Sequence, residues 1–328
     1  MKKLTLIALA VAAAAGSANA AKVYEDDTHA VDIYGRVYAG YISGSENSDI
    51  GQDGENDSYV RFGAKLKSAM TSNLNAIARY ELQHDITDGD ATDDKNGNIK
   101  TRLAYVGLGG DFGKVTYGRQ KDALDPISGD ITDVSFTNQY GYVNNGGKRL
   151  SNVLKYQGNF ANINITADYQ LKNNDSQSDA NGIKADSSYG ASLVYNSDFG
   201  LNVGAGYRAQ NNSADGVKDG SLWIIGADYS IANAYMMAAY SEREAYRGKD
   251  DKFKATEAAL GYKFTKALRA QVVYQNDKND TKNKDAKDRV MLEGRYDLTK
   301  QARVVAAYAL DQIDGADDEF TLAVRYDF

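Results

Sequence analysis

The sequence predicts an all-β fold: a transmembrane barrel of sixteen antiparallel strands, with the third outer loop folded inward. Three observations predict it. Apolar and polar residues alternate in segments of about ten residues, the length a tilted strand needs to cross a bilayer. The connections between these segments are short and long in turn, as in barrels with tight turns on one rim and long loops on the other. The composition holds 24 tyrosines and 31 glycines but one proline. That suits long paired strands, because proline cannot donate to a ladder. Only alternate residues of such a barrel meet lipid, so a mean hydropathy of −0.54 is compatible with a membrane location.

The first twenty residues read as a cleaved signal peptide. Lys2 and Lys3 form the charged start, Leu4 to Ala15 the apolar run, and Ala18-Asn19-Ala20 the small-residue cleavage site. Residues 21–328 then form a single domain, with no linker or low-complexity break. Losing Lys2 and Lys3 takes the formal charge from −7 to −9. An acidic balance argues against a nucleic-acid partner. The absence of cysteine excludes disulfides and thiolate chemistry.

The expected strands begin with Val31–Ser43, Asp57–Met70, Asn73–Asp85, Lys100–Gly109 and Phe112–Lys121. They continue with Asn152–Gly158, Asn162–Lys172, Ser187–Asn196, Gly200–Gln210, Ser221–Ser230 and Asn233–Arg243. The last five are Lys252–Phe264, Lys266–Asp277, Asp288–Asp297, Gln301–Asp311 and Glu319–Phe328. Turns such as Gly109–Asp111 and Leu298–Lys300 alternate with long charged connections such as Ile86–Ile99 and Lys278–Lys287. Sixteen strands enclose an aqueous lumen, whereas eight would be filled by side chains.

The longest connection, Asp122–Ser151, keeps neither period. It holds the only proline, Pro126, four acids, Asp122, Asp125, Asp130 and Asp133, and a basic exit at Lys148 and Arg149. A connection longer than about 15 residues is usually functional. This one is expected to fold inward and narrow the hole. Strand parity places basic side chains opposite it. With Val60, Phe62 and Ala64 toward lipid, Arg61 faces the lumen, and the same parity turns Arg36 and Arg79 inward. An arginine at the lipid midplane would cost about 2–4 kcal/mol. Solvated lumen charges without a special role would obey the same parity. Arg119 has the opposite parity, beside Val115 and Tyr117. It is either a subunit contact, pairing with Asp88 or Asp90 of a neighbour, or a residue above the membrane in water.

Tyrosines near strand ends, among them Tyr80, Tyr117, Tyr207 and Tyr326, suit interfacial girdles. Catalytic and metal signals are weak. His84 and Asp85 are adjacent on one strand and point to opposite faces. No cluster has zinc-ligand spacing, and Asp85–Asp94 does not fit a calcium loop. No cofactor or enzymatic activity is expected.

The block Lys100-Thr101-Arg102-Leu103-Ala104-Tyr105-Val106-Gly107-Leu108-Gly109, with Phe112-Gly113 and Tyr117-Gly118-Arg119 after it, resembles two strands of Gram-negative general porins. So do the opening Val31-Asp32-Ile33-Tyr34-Gly35-Arg36 and the terminal Val324-Arg325-Tyr326-Asp327-Phe328. The resemblance implies a homotrimer of sixteen-stranded pores in the outer membrane, in contact with lipid and lipopolysaccharide. It implies passive diffusion of ions and small hydrophilic solutes through a charged constriction. The matching wall positions are Arg36, Arg61 and Arg102, with Lys148 or Arg149 at a further basic position. Tyr326 and Phe328 would belong to the signal read by the barrel assembly machinery. One departure is that the family's Pro-Glu-Phe-Gly reads Pro126-Ile127-Ser128-Gly129 here, so Asp125, Asp130 or Asp133 must supply the acid. The net charge and acidic loop favour a mild cation preference. The alternatives are a substrate-selective porin on the same wall and a structural or adhesive barrel.

Overall fold

The computed structural model describes residues 21–43, 55–86, 99–137, 149–172, 185–212, 218–246 and 251–328. In chain order the strands are β1 (Ala21–Glu25), β2 (His29–Ser43), β3 (Glu55–Asn56), β4 (Ser58–Thr71), β5 (Leu74–Ile86), β6 (Ile99–Gly110) and β7 (Gly113–Lys121). A one-turn helix, α1 (Asp125–Ser128), follows. Then come β8 (Arg149–Phe160), β9 (Ile163–Gln170), β10 (Ala185–Asn196), β11 (Leu201–Asn212), β12 (Gly220–Ile231) and β13 (Ala234–Glu244). The last are β14 (Lys252–Lys263), β15 (Leu268–Asn279), β16 (Lys284–Asp297), β17 (Ala302–Asp311) and β18 (Glu319–Asp327). Sixteen of these, β2 and β4–β18, form the wall of a closed antiparallel barrel.

Consecutive wall strands pair, and β18 closes the ring on β2, from Phe320 opposite Ser43 to Asp327 opposite Arg36. The short β1 continues the same edge of β2, with Ala21 opposite Ile33 and Glu25 opposite Ala30. β18 and β1 therefore lie end to end. At the junction Gly35 donates its N–H to Phe328 O at 2.8 Å and accepts from Phe328 N at 3.0 Å. Gly35 has no side chain, and a Cβ there would stand 2.3 Å from the Phe328 ring. Closure satisfies the backbone without a free edge, which is the condition for strands in lipid.

Alternation fixes which face is which. On β4, Val60, Phe62 and Leu66 are exposed while Tyr59 is buried. On β12, Trp223 and Ile225 are exposed while Leu222 and Ile224 are fully enclosed. Large apolar side chains thus cover the outside, where lipid makes exposure favourable, and the alternate residues point inward. His84 and Asp85 diverge as adjacent strand residues must, and Asp85 pairs with Lys100.

Strand boundaries differ from the sequence expectation at several ends, most at the starts of β8 and β16. The 278–287 segment is not a long loop, because β15 runs through Asn279 and β16 starts at Lys284. Its charges are paired between strands, Lys254 with Asp280 at 2.9 Å and Asn276 with Asp285 at 3.1 Å. Strands that rise above the bilayer carry polar residues on both faces, so alternation fades before pairing ends. For the same reason β8 begins at Arg149 rather than at Asn152. The accessory β1 and β3 carry no separate alternation signal.

Candidate functional site

The inward side of the wall carries the segment after β7. Asp122 turns the chain by accepting the Leu124 N–H at 2.9 Å. Pro126 then occupies the first turn of α1, where a missing N–H costs nothing. Leu124, Ile127 and Ile131 are buried, in one cluster with Val194, Leu222, Ile224 and Met237. The partners are the inward members of β10, β12 and β13, so residues 124–131 lie on the inner wall. Two glycines of β11 make room for them. A Cβ at Gly206 would meet Leu124 at 2.6 Å, and one at Gly204 would meet Ile127 at 2.8 Å.

Two polar anchors hold this segment. At its start, Arg208 donates from Nη1 to both Asp168 oxygens at 2.9 and 3.0 Å and stands 3.9 Å from Asp122. All three side chains are fully enclosed. The Ala123 N–H donates to Asp168, and Ser192 Oγ donates to Ala123 O at 2.5 Å. Burial, with Asp168 nearby, raises the Asp122 carboxyl to about 7 against the pull of Arg208. At the far end, Glu293 accepts from Ser135 Oγ at 2.6 Å, Thr137 Oγ1 at 3.0 Å and the Phe136 N–H at 3.2 Å. Gln271 donates to Glu293 as well, and to Val134 O at 2.9 Å. Tyr38, stacked on Tyr59 with ring centroids 5.1 Å apart, donates to Thr137 O at 3.2 Å.

The acids separate into two groups. Asp122 is fully buried and belongs to the anchor, so it does not line the passage. Asp125 pairs with Lys121 at 2.6 Å, and Asp130 and Asp133 are exposed. Burial at the segment, together with Asp125, pushes both exposed carboxyls upward. Lys121, Arg36 and Arg325 draw Asp133 back down, so the acid feels guanidiniums on β2 and β18.

Those guanidiniums belong to a basic band. Arg36 donates to Asp327 at 2.7 Å, and Arg61 to Gln83 at 2.9 Å. Arg79 donates to the Tyr34 hydroxyl at 2.8 Å and to Glu81 at 3.2 Å. Arg102 donates to Glu81 at 2.7 Å and to Gln83 at 2.8 Å. Strict alternation would put Arg102 with the outward Ala104 and Val106. A bulge corrects this: Glu81 faces Leu103 while the next residue, Leu82, faces Thr101. Arg102 is the extra residue, and the bulge turns it inward.

A sequence profile of the Gram-negative porin family matches residues 5–316. The chain belongs to the Gram-negative porin family. It is 28% identical to porin-like protein L of Photobacterium profundum, over 100% of this chain and 99% of that protein. It is also 28% identical to outer membrane protein U of Vibrio parahaemolyticus, over the full length of both. Its fold is similar to that of Salmonella typhi OmpF, solved in complex with daunomycin, with a TM-score of 0.79 at 20% identity. That match covers 93% of this chain and 99% of the other. The trimer form of Vibrio cholerae OmpT matches at a TM-score of 0.66 and 16% identity, over 92% and 100% of the two chains. This chain is therefore an outer-membrane porin, from a family of channels rather than enzymes.

The other residues singled out in the sequence have these places in the porin. Arg149 opens β8 opposite Lys121. Arg119 donates from Nε to Thr101 O at 2.7 Å and from Nη1 to Ser151 Oγ at 3.1 Å, on the outward side. Residues 1–20, Lys148, Asp88 and Asp90 lie outside the described residues. Sequence reasoning missed Glu81, Asp168, Arg208, Glu293 and Asp327, which organise the charges. A signal existed for the anchored segment, because Leu124, Ile127 and Ile131 recur at helical spacing inside an apparent loop.

Proposed function

We propose that this porin is a general diffusion channel for ions and small hydrophilic solutes, with a charged constriction. Asp125, Asp130 and Asp133 form its acidic side, and Arg36, Arg61, Arg79 and Arg102 its basic side, with Lys148 and Arg149 near the loop exit. The observation that carries this reading is the seating of the segment bearing Asp125, Asp130 and Asp133 on the inner wall through Leu124, Ile127 and Ile131, within a barrel whose inward side chains include Arg36, Arg61, Arg79 and Arg102. Facing rows of opposite charge create a transverse field that orients dipolar solutes and separates cation from anion paths. A mature charge of −9 after removal of residues 1–20 favours a mild cation preference. The assembly is a homotrimer among lipid and lipopolysaccharide, folded by the barrel assembly machinery through Tyr326 and Phe328.

Planar-bilayer conductance across a salt gradient tests this. The expected record shows large openings that close in three equal decrements, with a reversal potential favouring the cation. An anion preference would give the basic wall control of selectivity. No conductance at all would sink the diffusion reading in favour of a structural or adhesive barrel.

Arg119 is assigned to the subunit contact. It lies on the outward face with two neutral partners in its own chain. Arg119→Ala is expected to lower the temperature at which the trimer dissociates on a gel. An unchanged temperature would remove the contact.

A further inference from the structure

Part of the basic band does not fit a simple row of solvated charges. Cations stand directly opposite cations in the sheet: Arg36 faces Arg61, Lys65 faces Arg79, and Arg303 faces Arg325. Like charges in opposed positions are destabilising. Six of these side chains, on β2, β4, β5, β17 and β18, line one recess of about 440 Å³ together with Glu81 and Asp327.

The two carboxylates are oversubscribed. Asp327 serves Arg36 at 2.7 Å, Arg325 at 2.9 Å and Arg303 at 3.0 Å. Glu81 serves Arg102 at 2.7 Å, Arg79 at 3.2 Å and Arg61 at 3.8 Å. Lys65 lies over the Tyr34 ring at 5.3 Å and makes no ion pair among the described residues, although Asp32 is its neighbour across the ladder. Five guanidiniums and one ammonium thus share the recess with two acids, Arg303 also standing 4.0 Å from Asp297, and the fold bears the repulsion.

We infer that this recess is a binding subsite for small solutes that carry a phosphate or diphosphate group. The inference deepens the diffusion-channel reading and rests on it for its role in transport. Guanidinium forks match the paired oxygens of such groups, which a spherical monovalent anion does not offer. A recess of about 440 Å³ is of ligand-pocket size. An ammonium on a flexible stem, Lys65, adds a point charge that can follow the solute. Monovalent ions would pass the recess, whereas phosphorylated solutes would pause there and show saturable flux.

The test is calorimetric titration of the full-length protein in detergent with inorganic pyrophosphate at low salt. Saturable binding is expected, and it should weaken steeply toward 1 M salt. Lys65→Gln and Arg303→Gln should each weaken it about tenfold. Lys266→Gln, on the short-turn rim, should leave it unchanged. Absence of saturable heat, or equal affinity in all three variants, would overturn the subsite. Heat-modifiable gel migration identifies folded variants, and two independent recess positions guard against one failing to fold. Bilayer recordings with pyrophosphate separate this inference from the channel reading. Conductance without interruption by pyrophosphate overturns the subsite alone. Saturable, variant-sensitive binding by a protein that does not conduct supports the subsite and removes the diffusion channel.

Discussion

Replacing Arg208 by leucine is expected to destabilise the barrel by about 3–5 kcal/mol, because two buried carboxylates then lose the guanidinium that stands between them. Asp122, Asp168 and Arg208 are all fully enclosed, so water cannot substitute. The same change should loosen the start of the inner segment and raise single-channel conductance. Thermal unfolding in detergent and bilayer recording check the two effects. Wild-type stability and conductance in Arg208→Leu would show that the triad holds nothing.

The triad also sets a pH dependence. The Asp122 carboxyl is raised from its ordinary 3.8 to about 7, chiefly by burial. A group whose folded-state pKa is raised favours folding when protonated. That contribution is complete below about pH 4 and is lost as pH rises through about 7. Stability should therefore increase from pH 8 to pH 5, and Asp122→Asn should flatten this slope.

Glu293→Ala is expected to have the second large effect. It removes the acceptor for Ser135, Phe136, Thr137 and Gln271 together. Hydrogen bonds to a charged acceptor are worth about 1.5–3 kcal/mol each, and the abandoned donors add desolvation, so a loss on the order of 3 kcal/mol or more follows. The far end of the segment should leave the wall, and conductance should rise with larger fluctuations. Glu293→Gln keeps an acceptor and should lie between. Unaltered conductance in Glu293→Ala would show that residues 135–137 do not border the ion path. The two anchors share no partners. Their stability losses should add, whereas the conductance gain of the second should shrink once the first has freed the segment.

The wall was legible because lipid enforces alternation. Most outward residues of the wall are apolar, so Arg36, Arg61 and Arg79 could be turned inward by counting. Arg102 could not, since its direction depends on a bulge that no residue type announces. Asp122 and Asp130 look alike in sequence, eight residues apart in one loop. Only the arrival of Arg208 and Asp168 from distant strands buries the first and leaves the second open. Glu293 looked like one more polar lumen residue, because its three loop partners lie more than 150 positions away. Charged hairpin ends such as Asn279–Lys284 hid as a loop, since pairing outlasts the bilayer.

The junction at Gly35 and Phe328 has a consequence for the order in which the molecule assembles. Nearly every hairpin is a contact between near neighbours and can form early. The seam joins residues almost 300 positions apart, so it must come last, after the rest of the chain has been made and paired. Until then β2 and β18 are unpaired margins of an open sheet, ready to pair with any other extended chain. An outer-membrane protein of this design must reach its membrane shielded from its own kind. Phe328 is the residue whose arrival beside Gly35 ends that vulnerability.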